Sequence, residues 1–312
     1  MKYALILTLL MAPAPRLTWF THAPLPHAQA GGAAMLFGSQ LVVAGGTAWQ
    51  DGVKQWLSMV QIYDTVGDTW RRGPELPEPL AYGPFAAGPA GLEIFGGGSG
   101  TASSRIIWRL DERLEGWHKA GETPGVHLLG RAARVGERVF LFGGCADAAD
   151  LTQCSDAVWM REAGGAWRQV ARLPGGPVAL SAVAVEGQRV YLFGGCSMAA
   201  PGQIRNHAEA WSFDAATWEF RRLKDLPAAN RGLTAATAAG RIWLFGGYTG
   251  AGFTAETYSY DPAAGTYTRE APLPAAMTSA EFAGQGNRLW AAGGEDRMKH
   301  RSAQTMSVVI GR

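Results

Sequence analysis

The chain has 312 residues, of which 47% are apolar, 17% are charged and 42 are glycine, with 12 tryptophans and a formal net charge of +2. That mixture is too apolar and aromatic for a disordered chain, too poor in charge for a coiled coil, and too near neutrality for a nucleic-acid binder working by bulk charge. Glycine at about twice its usual ~7% share, with many aromatic and β-branched residues, points to short strands joined by tight turns.

At the N-terminus, Lys2 precedes an apolar run, Tyr3 to Met11, and then the small residues Ala12-Pro13-Ala14. One positive charge, an apolar run too short to cross a bilayer and a small-residue end have the layout of a secretory signal. Residues 1–15 are therefore expected to be a signal peptide, and the protein periplasmic or secreted. The other reading is an apolar N-terminus tucked against the fold of a cytoplasmic protein. No other stretch reads as a membrane span.

From Trp19 onward the chain is a repeat. An apolar run ending in Gly-Gly occurs at Gly45, Gly96, Gly143, Gly194, Gly246 and Gly293, at intervals of 51, 47, 51, 52 and 47 residues. An aromatic stands seven residues before a proline at Trp19, Trp70, Trp117, Trp167, Phe220 and Tyr267. An aspartate stands six before that aromatic at Asp64, Asp111, Asp214 and Asp261, and Arg161 takes its place in another unit. Within a unit such as 181–220, the segments Ser181–Val185, Arg189–Phe193 and Ala208–Phe213 and a last strand through Phe220 alternate with turns. A period near 50 with four strands and a glycine pair is the kelch type of propeller blade. The chain opens with a lone outer-strand signature and closes, near 303–310, without one. The expected fold is all-β: a six-bladed kelch-type β-propeller over residues 17–312, four antiparallel strands per blade, its last blade closed by the N-terminal strand.

Two features interrupt the repeat. Cys145 and Cys154 flank one loop, so in an oxidising compartment they form a candidate disulfide that leaves Cys196 free; three reduced thiols are the alternative. No cysteine spacing fits structural zinc, and the histidines share no copper-site motif. Length variation between units falls between the glycine pair and the aspartate, in loops that gather on one face of a propeller. Rigid rings carrying variable loops are binding scaffolds. Trp49, Asp51, Trp56, Tyr82, Asp147, Asp150, Arg205, Asn206, His207, Asn230, Arg231 and Tyr248 are candidates there. The loop after the last glycine pair, Glu295-Asp296-Arg297-Met298-Lys299-His300-Arg301, is the most densely charged.

Three segments carry a family resemblance: Gly45–Gly52 with Lys54 and Trp56, Leu76–Gly83, and Gly294-Glu295 with Arg297 and Arg301-Ser302. In these the chain resembles the bacterial N-acetylneuraminate epimerases of the cyclically permuted mutarotase branch. The resemblance implies Glu295 and Arg301 as the catalytic pair, with Arg297, His300, Trp49, Tyr82 and Arg231 as substrate-binding candidates, and no metal or other cofactor. Glu295 would carry protons during opening and reclosure of the sugar ring, and Arg301 would hold the substrate carboxylate. The alternative is a non-catalytic propeller that binds a protein or glycan partner on its loop face. No nucleic-acid recognition module appears.

Overall fold

Each repeat folds into a four-stranded antiparallel sheet, and six such sheets make a β-propeller. The computed structural model describes residues 16–88 and 91–311; residues 1–15, where the signal-peptide reading falls, lie outside them. In the first blade the strands are Ala33–Phe37, Gln40–Ala44, Val60–Asp64 and Thr69–Arg72, from the axis outward. The sixth blade combines Phe282–Gln285, Arg288–Ala292 and Thr305–Ile310 with Leu17–Thr21, which pairs antiparallel with Thr305–Ile310 from Leu17↔Ile310 to Thr21↔Met306. Ring closure therefore joins the first and last described strands, and Leu17–Thr21 covers the edge that Thr305–Ile310 would otherwise leave open.

Expected boundaries shift where a side chain or amide claims a backbone carbonyl. The last strand begins at Thr305 because the Ala303 carbonyl accepts from the Leu25 amide. The inner strand of the fourth blade begins at Ala182 because the Ser181 carbonyl accepts from the Arg131 guanidinium. Among the described residues no helix is long and apolar enough to cross a membrane.

The core is a set of wedges between neighbouring sheets. Phe140 and Phe142 of the third blade meet Phe213 of the fourth edge-on at 5.2 and 5.4 Å. Phe245 of the fifth stacks on Phe282 of the sixth at 4.1 Å. Each aromatic of this size removes enough apolar area from water to hold two blades together. The outer-strand aromatics add a directed link. The indole N–H groups of Trp70, Trp117 and Trp167 donate to the carbonyls of Ala23, Pro74 and Glu122, and the Tyr267 hydroxyl donates to Lys224 O. The repeated aspartates accept from backbone amides of the turn that follows, as Asp214 does from Ala216 and Thr217.

The glycine pair has its own reason. Gly246 sits at φ +60°, and a Cβ there would lie 2.2 Å from Met277 O. Gly247 donates its amide to that same carbonyl at 2.8 Å, and Gly46 does likewise to Leu80 O at 2.7 Å. The pair is the point where one blade's main chain touches the next, which a side chain would forbid.

Candidate functional site

The main chain itself builds the centre of the loop face. Each blade is entered through a residue in the left-handed region: Gly31, Tyr82, Leu129, Leu180, Gly232 and Ser279, with φ between +55° and +71°. Their amides bond around the axis. Tyr82 N donates to Gly31 O, Leu129 N to Tyr82 O, Leu180 N to Leu129 O and Gly232 N to Leu180 O, each at 2.8 Å, and Ser279 N donates to Gly232 O at 3.1 Å. This hoop satisfies backbone groups that would otherwise face a cavity. Below it, Arg131 of the third blade reaches Glu281, at the start of the opposite sixth blade, with 3.0 Å between Nη1 and Oε1. That pair stands at the head of a cavity of about 400 Å³ between the alanine-rich inner strands.

Above the hoop lies a bowl of about 770 Å³, within the range of ligand sites. Its walls are hairpins raised between the second and third strands of several blades. In the first blade, Thr47–Gln50 pairs with Val53–Trp56 around Asp51 and Gly52, both at positive φ, a turn that matches strand twist. That hairpin brings Lys54 and Trp56 to the bowl, where Lys54 Nζ lies 4.8 Å from the Tyr82 ring centroid and 5.1 Å from that of Trp56. The indole lies so close to Gly100, at φ +89°, that a Cβ there would come within 2.3 Å of Trp56 Nε1. Across the bowl, the Arg231 guanidinium sits 4.3 Å over the Tyr248 ring and donates to Asn206 Oδ1 at 2.6 Å. Among the described residues neither Lys54 nor Arg231 has a carboxylate partner.

Glu295 and Arg301 are directly opposed in the hairpin of the sixth blade, Glu295–Arg297 with His300–Arg301. Glu295 lines the bowl. Arg301 lies behind it, its Nη1 2.8 Å from Glu295 Oε2 and its Nε and Nη2 donating to Thr47 Oγ1 at 3.2 and 2.9 Å. Thr47 in turn approaches Tyr82 Oη at 3.4 Å. Arg301 is thus a buried brace between the sixth and first blades, donating to Thr47 through Nε and Nη2 and ion-paired with Glu295 through Nη1.

The bowl brings together Glu295, Tyr82 and Arg231, with Lys54, Trp56 and Tyr248, but not Arg297, His300 or Trp49. Arg297 is exposed on its hairpin, and His300 Nδ1 is held 2.6 Å from Asp296 Oδ1. Trp49 packs beneath Lys299, whose Nζ is 5.5 Å from its ring. The remaining wall is the loop between Cys145 and Cys154, whose sulfurs are bonded and whose residues Ala146–Ala149 face the bowl. Asp147 and Asp150 accept amides of that loop from Ala149 and Thr152. Cys196 is buried and packs in the same cluster; burial raises its thiol to about 11, which makes it a poor nucleophile. His127, buried beside this wall, is pushed below its ordinary value by desolvation, against the Gly143 carbonyl on its Nδ1.

Apart from Tyr82, the hoop residues are the part that residue chemistry does not announce, as is apolar lining such as Phe253. The hoop's only signal is positional: each hoop residue stands 14 places before the first glycine of its pair.

Comparison with known proteins adds a consistent pattern. Residues 130–309, more than half of the chain, match the KLHDC2/KLHL20/DRC7 Kelch-repeats domain, and residues 30–77 match the Kelch motif. Over 246 residues the chain is 26% identical to Kelch-like protein 25 of Xenopus tropicalis, a match covering 73% of this chain and 38% of that protein. The chain therefore spans well under half the length of this relative.

Proposed function

The chain belongs to the Kelch-repeat family, and we propose that it is a binding module that holds a protein partner on its loop face, with a segment of the partner seated in the axial bowl. The observation that carries this reading is where apolar surface is exposed. Of the five exposed large apolar side chains among the described residues, three stand on the hairpins of the loop face: Val53, 59% exposed, Ile204, 46%, and Met298, 72%. Met298 also lines the bowl, while Val53 and Ile204 carry exposed apolar surface outside its lining, which a free sugar seated in the bowl would not use. Within the bowl, aromatic rings and two cations without carboxylate partners suit a segment carrying an acidic group beside an apolar one.

Panning a random peptide library on the purified protein tests this. Enriched peptides should lose binding at least 10-fold to both Trp56→Ala and Arg231→Glu, with both variants keeping the native circular dichroism. Peptides that bind those variants as well as the parent would place the binding surface elsewhere.

A second reading, anomer interconversion of N-acetylneuraminate or a similar sugar, draws support from one observation, the position of Glu295 on the bowl wall. Since Arg301 is engaged with Thr47 and Glu295, the substrate carboxylate in that reading falls to Arg231 or Lys54. NMR on fresh α-anomer measures it directly. An exchange rate that is the same with and without the protein rejects it.

A further inference from the structure

We propose that Ser197, His207 and Glu209 form a separate nucleophilic site on the loop face of the fourth blade, able to transfer the acyl group of a small ester to water. The fold places these residues together. Ser197 lies in the strand Cys196–Met198, which pairs with Ile204–Asn206 in the register Cys196↔Asn206 and Ser197↔Arg205. His207 follows directly, its amide bonded to Gly195 O and its carbonyl accepting from Asn230 N, each at 2.9 Å. The imidazole is thereby held with Nε2 2.8 Å from Ser197 Oγ and Nδ1 3.3 Å from Glu209 Oε2. A hydroxyl within hydrogen-bond reach of a base, and a carboxylate orienting that base through its other nitrogen, is the geometry of an activated nucleophile.

The surroundings support the chemistry. The His207 side chain is only 12% exposed, and burial lowers its proton affinity, which keeps Nε2 free to take a proton. Leu173, Val178, Leu192 and Trp211 line a niche of about 40 Å³ on the side where His207 and Glu209 face it, fixing the ring in place. Arg205 stands opposite Ser197 in register, and its guanidinium reaches Glu209 Oε1 at 3.2 Å, which helps hold that carboxylate in place beside His207. Ser197 is half-buried and is not part of the bowl. Among the described residues no deep acyl-chain cavity adjoins it, which limits the substrate to short acyl groups such as acetyl.

Each half-reaction balances. Ser197 Oγ bonds to the ester carbonyl carbon as its proton moves to His207 Nε2. The carbon–alkoxide bond then breaks as that proton passes to the departing alcohol. A water molecule, losing a proton to Nε2, attacks the acyl-serine, and the acid leaves as the proton returns to Oγ.

The test uses the whole chain, a fluorophosphonate probe and 4-nitrophenyl acetate. Tandem mass spectrometry should find the phosphonate on Ser197, and ester hydrolysis should fall at least 10-fold in Ser197→Ala. His207→Gln should abolish both labelling and turnover, and Glu209→Gln should slow turnover about 10-fold while leaving some labelling. Ser197→Ala alters a half-exposed hairpin, so its native circular dichroism is expected and checked. Labelling absent from Ser197, or equal hydrolysis by the parent and Ser197→Ala, overturns the proposal.

Discussion

Glu295 and Arg301 face each other across one hairpin, yet removing them should have unequal consequences. The Arg301 side chain is 5% exposed and the Glu295 side chain 23%. Glu295→Gln leaves a guanidinium buried with Thr47 and no countercharge. Breaking a fully buried pair from one side costs about 3–5 kcal/mol, and access of water through the bowl reduces this to about 2–3 kcal/mol. Arg301→Met removes the buried charge itself. Glu295 then rehydrates on the bowl wall, and Thr47 Oγ1 keeps Ala30 O at 3.3 Å as an acceptor. The loss should be about 1 kcal/mol, the usual worth of the hydrogen bonds given up. The double variant should resemble Arg301→Met alone, so the cycle should show a coupling of about 2 kcal/mol. Urea denaturation at pH 7 followed by tryptophan fluorescence measures all three, and the Glu295→Gln midpoint should drop by roughly 5 °C in a thermal scan. If Glu295→Gln proves milder than Arg301→Met, Arg301 is hydrated and available to a ligand, and the brace assigned to it is wrong.

Other expectations concern the scaffold. His127 binds its proton less readily folded than unfolded, so the unfolded chain takes up more protons as pH falls below about 6.5, and stability should decline there by at most about 1.4 kcal/mol per pH unit until the folded-state value is passed. Denaturation curves between pH 7.5 and 5.5 should show a smaller slope for His127→Gln, whereas identical slopes would exclude this histidine. Gly246→Ala should cost about 2–3 kcal/mol, because its Cβ meets Met277 O at φ +60°, while Gly136→Ala, at φ +58° but facing open space, should cost less than about 1 kcal/mol. Equal losses would remove the contact with the next blade as the reason for the glycine pair. Opening the Cys145–Cys154 disulfide, with a sequence separation of 9, should lower stability by about 2–3 kcal/mol, read by denaturation with and without dithiothreitol. No difference would mean the loop is held by Asp147 and Asp150 alone.

The fold was legible because its landmarks are inter-blade contacts that admit few residue types. A glycine is needed where Gly246 passes Met277 O, and an aromatic with an N–H or O–H donor suits the outer strand at Trp70 or Tyr267. The site was legible only in part. Tyr82, Arg231 and Glu295 reach the bowl as bulky or charged loop residues can. Arg301 has the same chemical profile on paper, but its burial depends on Thr47, 254 positions away, and no local pattern encodes that meeting. Trp49 and Trp56 share a hairpin, yet Trp56 lines the bowl while Trp49 lies outside it beneath Lys299. The Ser197–His207 contact was equally silent, since it depends on the register of a short hairpin.

The hoop at the base of the bowl is made of amides and carbonyls only, and its members carry side chains as different as those of Tyr82, Leu180 and Gly232. Its five bonds are thus indifferent to what most of those side chains are, provided each residue can hold a left-handed turn. Substitutions at Tyr82, Leu129, Leu180 and Ser279 reshape the floor that a ligand meets without loosening the wheel that presents it, whereas a Cβ at Gly31 or Gly232 would come within 2.5 Å of Tyr82 Cε1 or 2.2 Å of Thr278 Oγ1. Such a socket can change its specificity one residue at a time, while the geometry of its mounting stays the same.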